Sequence, residues 1–215
     1  MKSISALAVL SIATLASPDA EAELVRWSFE AVVQDFNGSA SDVAAFGVTQ
    51  GTVITGTYLI DTSITGVNAG NNLFFDGSVI GFTLNAGDFN ASFDAMEPLF
   101  NSVGTRNDTF DAVVVSASMI LEGTAGNMGG LASLEMFDSD GDIVDDDSFP
   151  TLPSLAELDP YNGGRTNFVL SVNPNGEFTS VFAEITMLNA TVVPLPASVL
   201  LMVGALSGLG LFRKR

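Results

Sequence analysis

The chain contains no cysteine and no histidine, and its only lysines are Lys2 and Lys214. Without cysteine there is no disulfide, no thiol nucleophile and no site for a lipid-modified N-terminus. Without histidine, Ser-His-Asp and Cys-His catalysis are excluded, as is any His-ligated zinc or iron centre. Stacking platforms are scarce too: Trp27 is the one tryptophan, and Tyr58 and Tyr161 are the only tyrosines. The sixteen Phe suit a core better than a sugar-binding face. Positive charge is nearly missing from residues 23–193. Arg26, Arg106 and Arg165 stand there against 23 acids, for a net charge of −20. Such a surface repels nucleic acid and anionic lipid, and it suits cations, high salt and solubility outside a cell. Carboxylate chemistry is all that is left to an enzyme.

What is present is concentrated first at the two ends. Lys2 followed by the apolar stretch Ile4–Ala16 reads as a signal peptide over 1–22, with Ala20 and Ala22 at the positions a signal peptidase reads. At the other end Val193, Pro194, Leu195, Pro196 and Ala197 precede an uncharged run to Phe212, closed by Arg213, Lys214 and Arg215. The 18 positions from Leu195 to Phe212 make a helix of about 27 Å, against about 30 Å of hydrocarbon core. The basic cluster marks the cytoplasmic side. Pro194 and Pro196 form a stiff, extended lead-in. The expected division is signal peptide 1–22, exported domain 23–192, and tail 193–215 with motif 193–197, transmembrane helix 198–212 and basic end 213–215.

This tail resembles the PEP-CTERM class of bacterial sorting signals in its VPLPA variant, matched letter for letter at residues 193–197. Leu195 stands where the commoner form has glutamate. The resemblance implies recognition by an exosortase, an integral-membrane enzyme like a cysteine transpeptidase. It implies transient anchoring in the inner membrane, then delivery to the cell surface or its exopolysaccharide.

Between the ends the pattern is β. In Leu24–Val33 the residues Val25, Trp27, Phe29, Ala31 and Val33 share one face. Further strands are expected at 49–60, 73–75, 78–85, 89–93, 110–121, 131–137, 168–172 and 178–192. Asp76-Gly77 reads as a hairpin turn between two of them, and Gly51 and Gly56 as marks of bulges. Residues 61–72, 94–109, 123–130 and 138–161 read as loops. Eight to ten strands and no amphipathic helix predict an all-β fold, an antiparallel β-sandwich of jelly-roll type. Trp27 reads as a core residue.

The densest chemistry lies at 138–147. Asp138, Asp140 and Asp142 around Gly141, with Asp146 beyond, offer oxygens to a hard cation. Calcium, which takes about six to eight, is the one cofactor in view. The EF-hand spacing fails, since its glycine and its bidentate glutamate fall on Ile143 and Phe149. The bland alternative is an acidic turn favoured for backbone reasons. The expectation is an exported, non-enzymatic surface or matrix protein, structural or adhesive. Its partners are signal peptidase, exosortase, the membrane through the tail, and exopolysaccharide, with no nucleic acid. The alternatives are a carbohydrate- or calcium-binding module and, behind it, a carboxylate glycoside hydrolase.

Overall fold

The computed structural model describes residues 24–44, 47–87, 89–94, 101–107, 110–123, 126–144, 148–162, 166–172 and 179–194. Eleven strands lie among them: β1 (Leu24–Asn37), β2 (Val53–Asp61), β3 (Val67–Ala69), β4 (Asn72–Asp76), β5 (Val79–Ala86), β6 (Phe89–Phe93), β7 (Ser102–Asn107), β8 (Asp111–Gly123), β9 (Gly126–Asp138), β10 (Asn167–Val172) and β11 (Thr179–Val193). A single helical turn, α1 (Ala40–Ala44), follows β1.

All strands pair antiparallel in one continuous sheet. It runs β8-β6-β5-β2-β1-β11-β10-β9, and β9 returns to β8 along its whole length, so these eight strands form a closed ring. The free side of β8 is shared. Ser102–Asn107 of β7 takes its first half, and β6 takes Met119–Glu122. Strands β4 and β3 continue from β7 as a flap.

Alternation explains the core. Trp27, Phe29, Ala31 and Val33 of β1 are buried, as are Ile54, Tyr58 and Ile60 of β2, Val113, Val115, Ala117 and Met119 of β8, and Leu134 and Met136 of β9. Because successive side chains point to opposite faces, these residues turn one face of each of these strands into the ring. Phe29 stacks on Phe168 of β10 at 4.6 Å. Tyr58 packs against Phe82 of β5 at 4.7 Å. Outside the ring, Phe149 packs on Phe75 of the flap at 4.6 Å.

Several expectations need correcting. Residues 61–72 contain β3, and 94–109 contain β7, where Val103 and Thr105 point inward between polar neighbours. The expected turn at 123–130 is shorter, since β9 starts at Gly126 and pairs back from Gly123. Asp76-Gly77 does turn the chain, with Gly77 at φ 76°, but it joins no hairpin. Strand β4 pairs with β3 and β7, while β5 pairs with β2 and β6. The turn is a corner, held by Ser78, whose Oγ accepts the N–H of Val103 at 3.1 Å. Gly56 marks no bulge either. Its pairing with Phe29 is unshifted, and a Cβ there would stand 2.5 Å from the Phe29 ring.

Candidate functional site

The acidic loop leaves the end of β9. Asp138 is 4% exposed. Its Oδ1 accepts the N–H of Asp140 and its Oδ2 that of Asp142, both at 3.0 Å. The local reason is a tight turn, with Gly141 at φ 76°, where a short carboxylate side chain caps its own backbone. The N–H of Asp142 is the main cause holding the Asp138 carboxyl below the usual carboxylate range. Asp142 moves the other way. A hydrogen bond to the Asp138 carboxyl, and then that group's charge, raise it. Asp140 and Asp142 are exposed. Ser139 Oγ donates to Asp159 Oδ1 at 3.0 Å, tying the turn to the segment that follows.

The far end of the loop is fixed by residues with no obvious signal in the sequence. Asp111, the first residue of β8 and 1% exposed, stands opposite Asp138 across the β8–β9 ladder. Its Oδ2 accepts the N–H of Val144 at 2.8 Å. Asn107 Nδ2 donates to the Val144 carbonyl at 2.8 Å. Both backbone groups of Val144 are thus held by side chains of β7 and β8. Asp111 Oδ1 is buried without a hydrogen-bond partner. The one available cue was parity: residue 111 shares the inward face of 113, 115, 117 and 119, so an acid there is out of character.

Two cavities flank this loop. One, of about 220 Å³, lies at the β3–β4 turn and is lined by Asn68, Asn71, Asn72, Thr105, Asn107 and Val144 among others. The asparagines are not needed for the turn itself, since the left-handed position there belongs to Gly70, at φ 74°. The second, about 440 Å³, is lined by Asp142, Ile143, Leu152, Ser154 and Glu157 among others. Glu157 Oε2 accepts the N–H of Ser154 at 2.7 Å, so this carboxylate already serves a turn.

Of the residues expected to hold calcium, Asp138, Asp140 and Asp142 share one turn, and Asp146 lies outside the described residues. Among the described residues no three acidic side chains stand close enough to hold a metal together. Of the sorting motif, Val193 ends β11 and Pro194 follows it, exposed. Leu195, Pro196 and Ala197, the expected helix 198–212, Arg213, Lys214 and Arg215, and Ala20 and Ala22 lie outside the described residues. No helix among the described residues is long and apolar enough to cross a membrane.

The chain matches no family model, and neither the curated proteins nor the solved structures yield a match.

Proposed function

We propose that the chain is an exported bacterial surface or matrix protein, structural or adhesive and without enzymatic activity. In this reading residues 1–22 are a signal peptide, and 198–212 are a transmembrane helix that holds the protein briefly in the inner membrane. An exosortase then acts at or near Val193–Ala197. In this reading the working part is the domain between, a jelly-roll-like fold built on the closed ring of strands.

One relationship supports this most. Leu24 faces Val193 across neighbouring antiparallel strands, at a Cα separation of about 5 Å. The two ends of the described domain, Leu24 and Val193, therefore lie side by side. Domain ends that lie together suit a chain whose two apolar segments are to enter one bilayer. Mass spectrometry of the mature protein from surface fractions tests the reading. A new N-terminus at Glu23 and a C-terminus near Ala197 are expected. Intact Arg215 on all surface material would sink the sorting step.

A second reading rests on the asparagine-lined cavity. Its lining carries amides, a hydroxyl and no charge, and amides both donate to and accept from sugar hydroxyls. Neutral exopolysaccharide is the class of ligand it suits. Retention of the domain on native polysaccharide, weakened by Asn68→Ala with Asn72→Ala, is the expected result. Equal retention of wild type and variant would remove this reading.

A further inference from the structure

Asp111 is a buried acid with half of its carboxylate unused. Oδ2 accepts the N–H of Val144, and Oδ1 has no hydrogen-bond partner. A charge taken out of water is costly unless it is paired or coordinates a metal. The neighbour on β9 adds to that cost. Asp138, also buried, stands directly opposite Asp111 across the ladder, and like charges so placed repel. Both Asp138 oxygens already accept the N–H groups of Asp140 and Asp142. Asp138 therefore brings its own donors, and Asp111 Oδ1 is left without one.

On its other side Asp111 meets neutral oxygen. Asn107 is its ladder partner on β7, and Val144 is its hydrogen-bond partner. Both line the cavity of about 220 Å³ at the β3–β4 turn, so the Asp111 carboxylate stands beside that cavity. Asn68, Asn71, Asn72 and Thr105 line it too. Each brings an amide or hydroxyl oxygen that can accept or ligate. Asn107 turns its nitrogen to the Val144 carbonyl at 2.8 Å, which leaves its amide oxygen for another partner.

We propose that Asp111 Oδ1 is a ligand of a calcium ion, held between this carboxylate and the neutral oxygens of the asparagine-lined cavity. Ligand chemistry selects the metal. A chain with no histidine and no cysteine offers nothing to softer metals. Calcium takes about six to eight oxygens in flexible geometry, amide and backbone carbonyls and water among them, whereas magnesium demands a near-ideal octahedron. One carboxylate among neutral ligands makes a weak site, with a dissociation constant on the order of 10⁻⁴ to 10⁻³ M, the range of extracellular modules. That range suits the exported location proposed above, while the ion itself needs neither that location nor a bound polysaccharide. The ion offsets the repulsion between Asp111 and Asp138. Since the cavity is walled by β3–β4 residues on one side and by Asn107 and Val144 on the other, it also fastens the flap to the ring.

Calorimetric titration of calcium chloride into the chelator-stripped, full-length chain in mild detergent tests the site. One ion per chain is expected, with a higher melting temperature in its presence. Asp111→Asn keeps an oxygen for the Val144 N–H but removes the charge, and it should weaken calcium binding by about tenfold or more. Asp142→Asn, on the exposed turn, should bind as the parent does. Parent protein that takes up no calcium at millimolar concentration would overturn the inference. So would unchanged binding by Asp111→Asn, or a loss confined to Asp142→Asn. Should Asp111→Asn not fold, crystals of the parent soaked in terbium decide the matter by anomalous scattering. A peak about 2.4 Å from Asp111 Oδ1 supports the site, and a peak only at the Asp140–Asp142 turn, or none, overturns it. Failure of the sorting reading shows separately, as Arg215 retained on the surface protein while calcium binding is unchanged.

Discussion

The side chain of Asn101 takes the place of a missing strand beside Ser118. Strand β7 ends its pairing with β8 at Ser116, and β6 begins at Met119. In the gap, Asn101 Oδ1 accepts the N–H of Ser118 at 2.7 Å, and the N–H of Asp94 donates to the Ser118 carbonyl at 2.9 Å. Asn101 Nδ2 in turn donates to the Asp94 carbonyl at 2.8 Å. One amide, 2% exposed, joins the ring to the flap.

Asn101→Ala should therefore cost about 2 kcal/mol or more, because a buried donor left unpaired costs about 1–3 kcal/mol and the Asp94 carbonyl loses its partner as well. Asn101→Asp keeps the acceptor but loses the donor and buries a charge, so it should be at least as harmful. Urea unfolding midpoints read both. A variant as stable as the parent would show that water replaces the amide.

Much of this architecture is visible in local pattern, and the reason for the rest is physical. The alternation of Val25, Trp27, Phe29, Ala31 and Val33 announces β1 because period two is a local property. The pairing of Leu24 with Val193 is not local, and nothing in either segment names its partner. Asp76-Gly77 specifies a turn, but turn chemistry does not say which strands will pair across it. Strand β7 was hidden because Ser102, Thr105, Arg106 and Asn107 make a strand with little apolar content. At the acidic loop, composition picks out Asp138, Asp140 and Asp142. Asp111 becomes part of that loop's geometry only through the β8–β9 register.

The ring of Phe29 occupies the space where a side chain at residue 56 would begin. A Cβ on Gly56 would lie 2.5 Å from the ring and 2.8 Å from the Thr83 carbonyl oxygen. Neither neighbour can yield easily, since Phe29 is packed in turn on Phe168 and Tyr58. Gly56→Ala should destabilise by about 1–3 kcal/mol, the usual cost of overpacking. The double variant Gly56→Ala with Phe29→Leu should cost less than the sum of the two single changes. Additive losses in thermal unfolding would contradict the contact.

Tyr58 is fully buried, and its hydroxyl has no hydrogen-bond partner. Burial alone pushes the phenol well above its ordinary value. Tyr58→Phe removes a desolvated hydroxyl while keeping the ring against Phe82, so it should leave stability unchanged or raise it by up to about 1 kcal/mol. A clear loss of stability would mean that the hydroxyl has a water partner in solution.

Asp138 and Asp142 should leave opposite marks on stability as pH changes. The Asp138 carboxyl is held down by the loop N–H groups. A carboxylate depressed on folding stabilises the fold above its unfolded value, about 3.9, and that contribution is lost as pH falls through the lower folded value. Asp142 is raised by Asp138. Its contribution favours the fold below about 3.9 and is lost as pH rises through the raised folded value. Asp138→Asn should lower the melting temperature at neutral pH, and the gap to the parent should close in acid. Asp142→Asn removes the repulsion and should hold or raise the melting temperature at neutral pH. Melting curves from pH 3 to 8 would separate the two. If Asp138→Asn gave a loss independent of pH, its role would be hydrogen bonding without charge. If millimolar calcium lifted the parent's melting temperature and this lift vanished in Asp142→Asn, the cation would be relieving the repulsion between the two carboxylates.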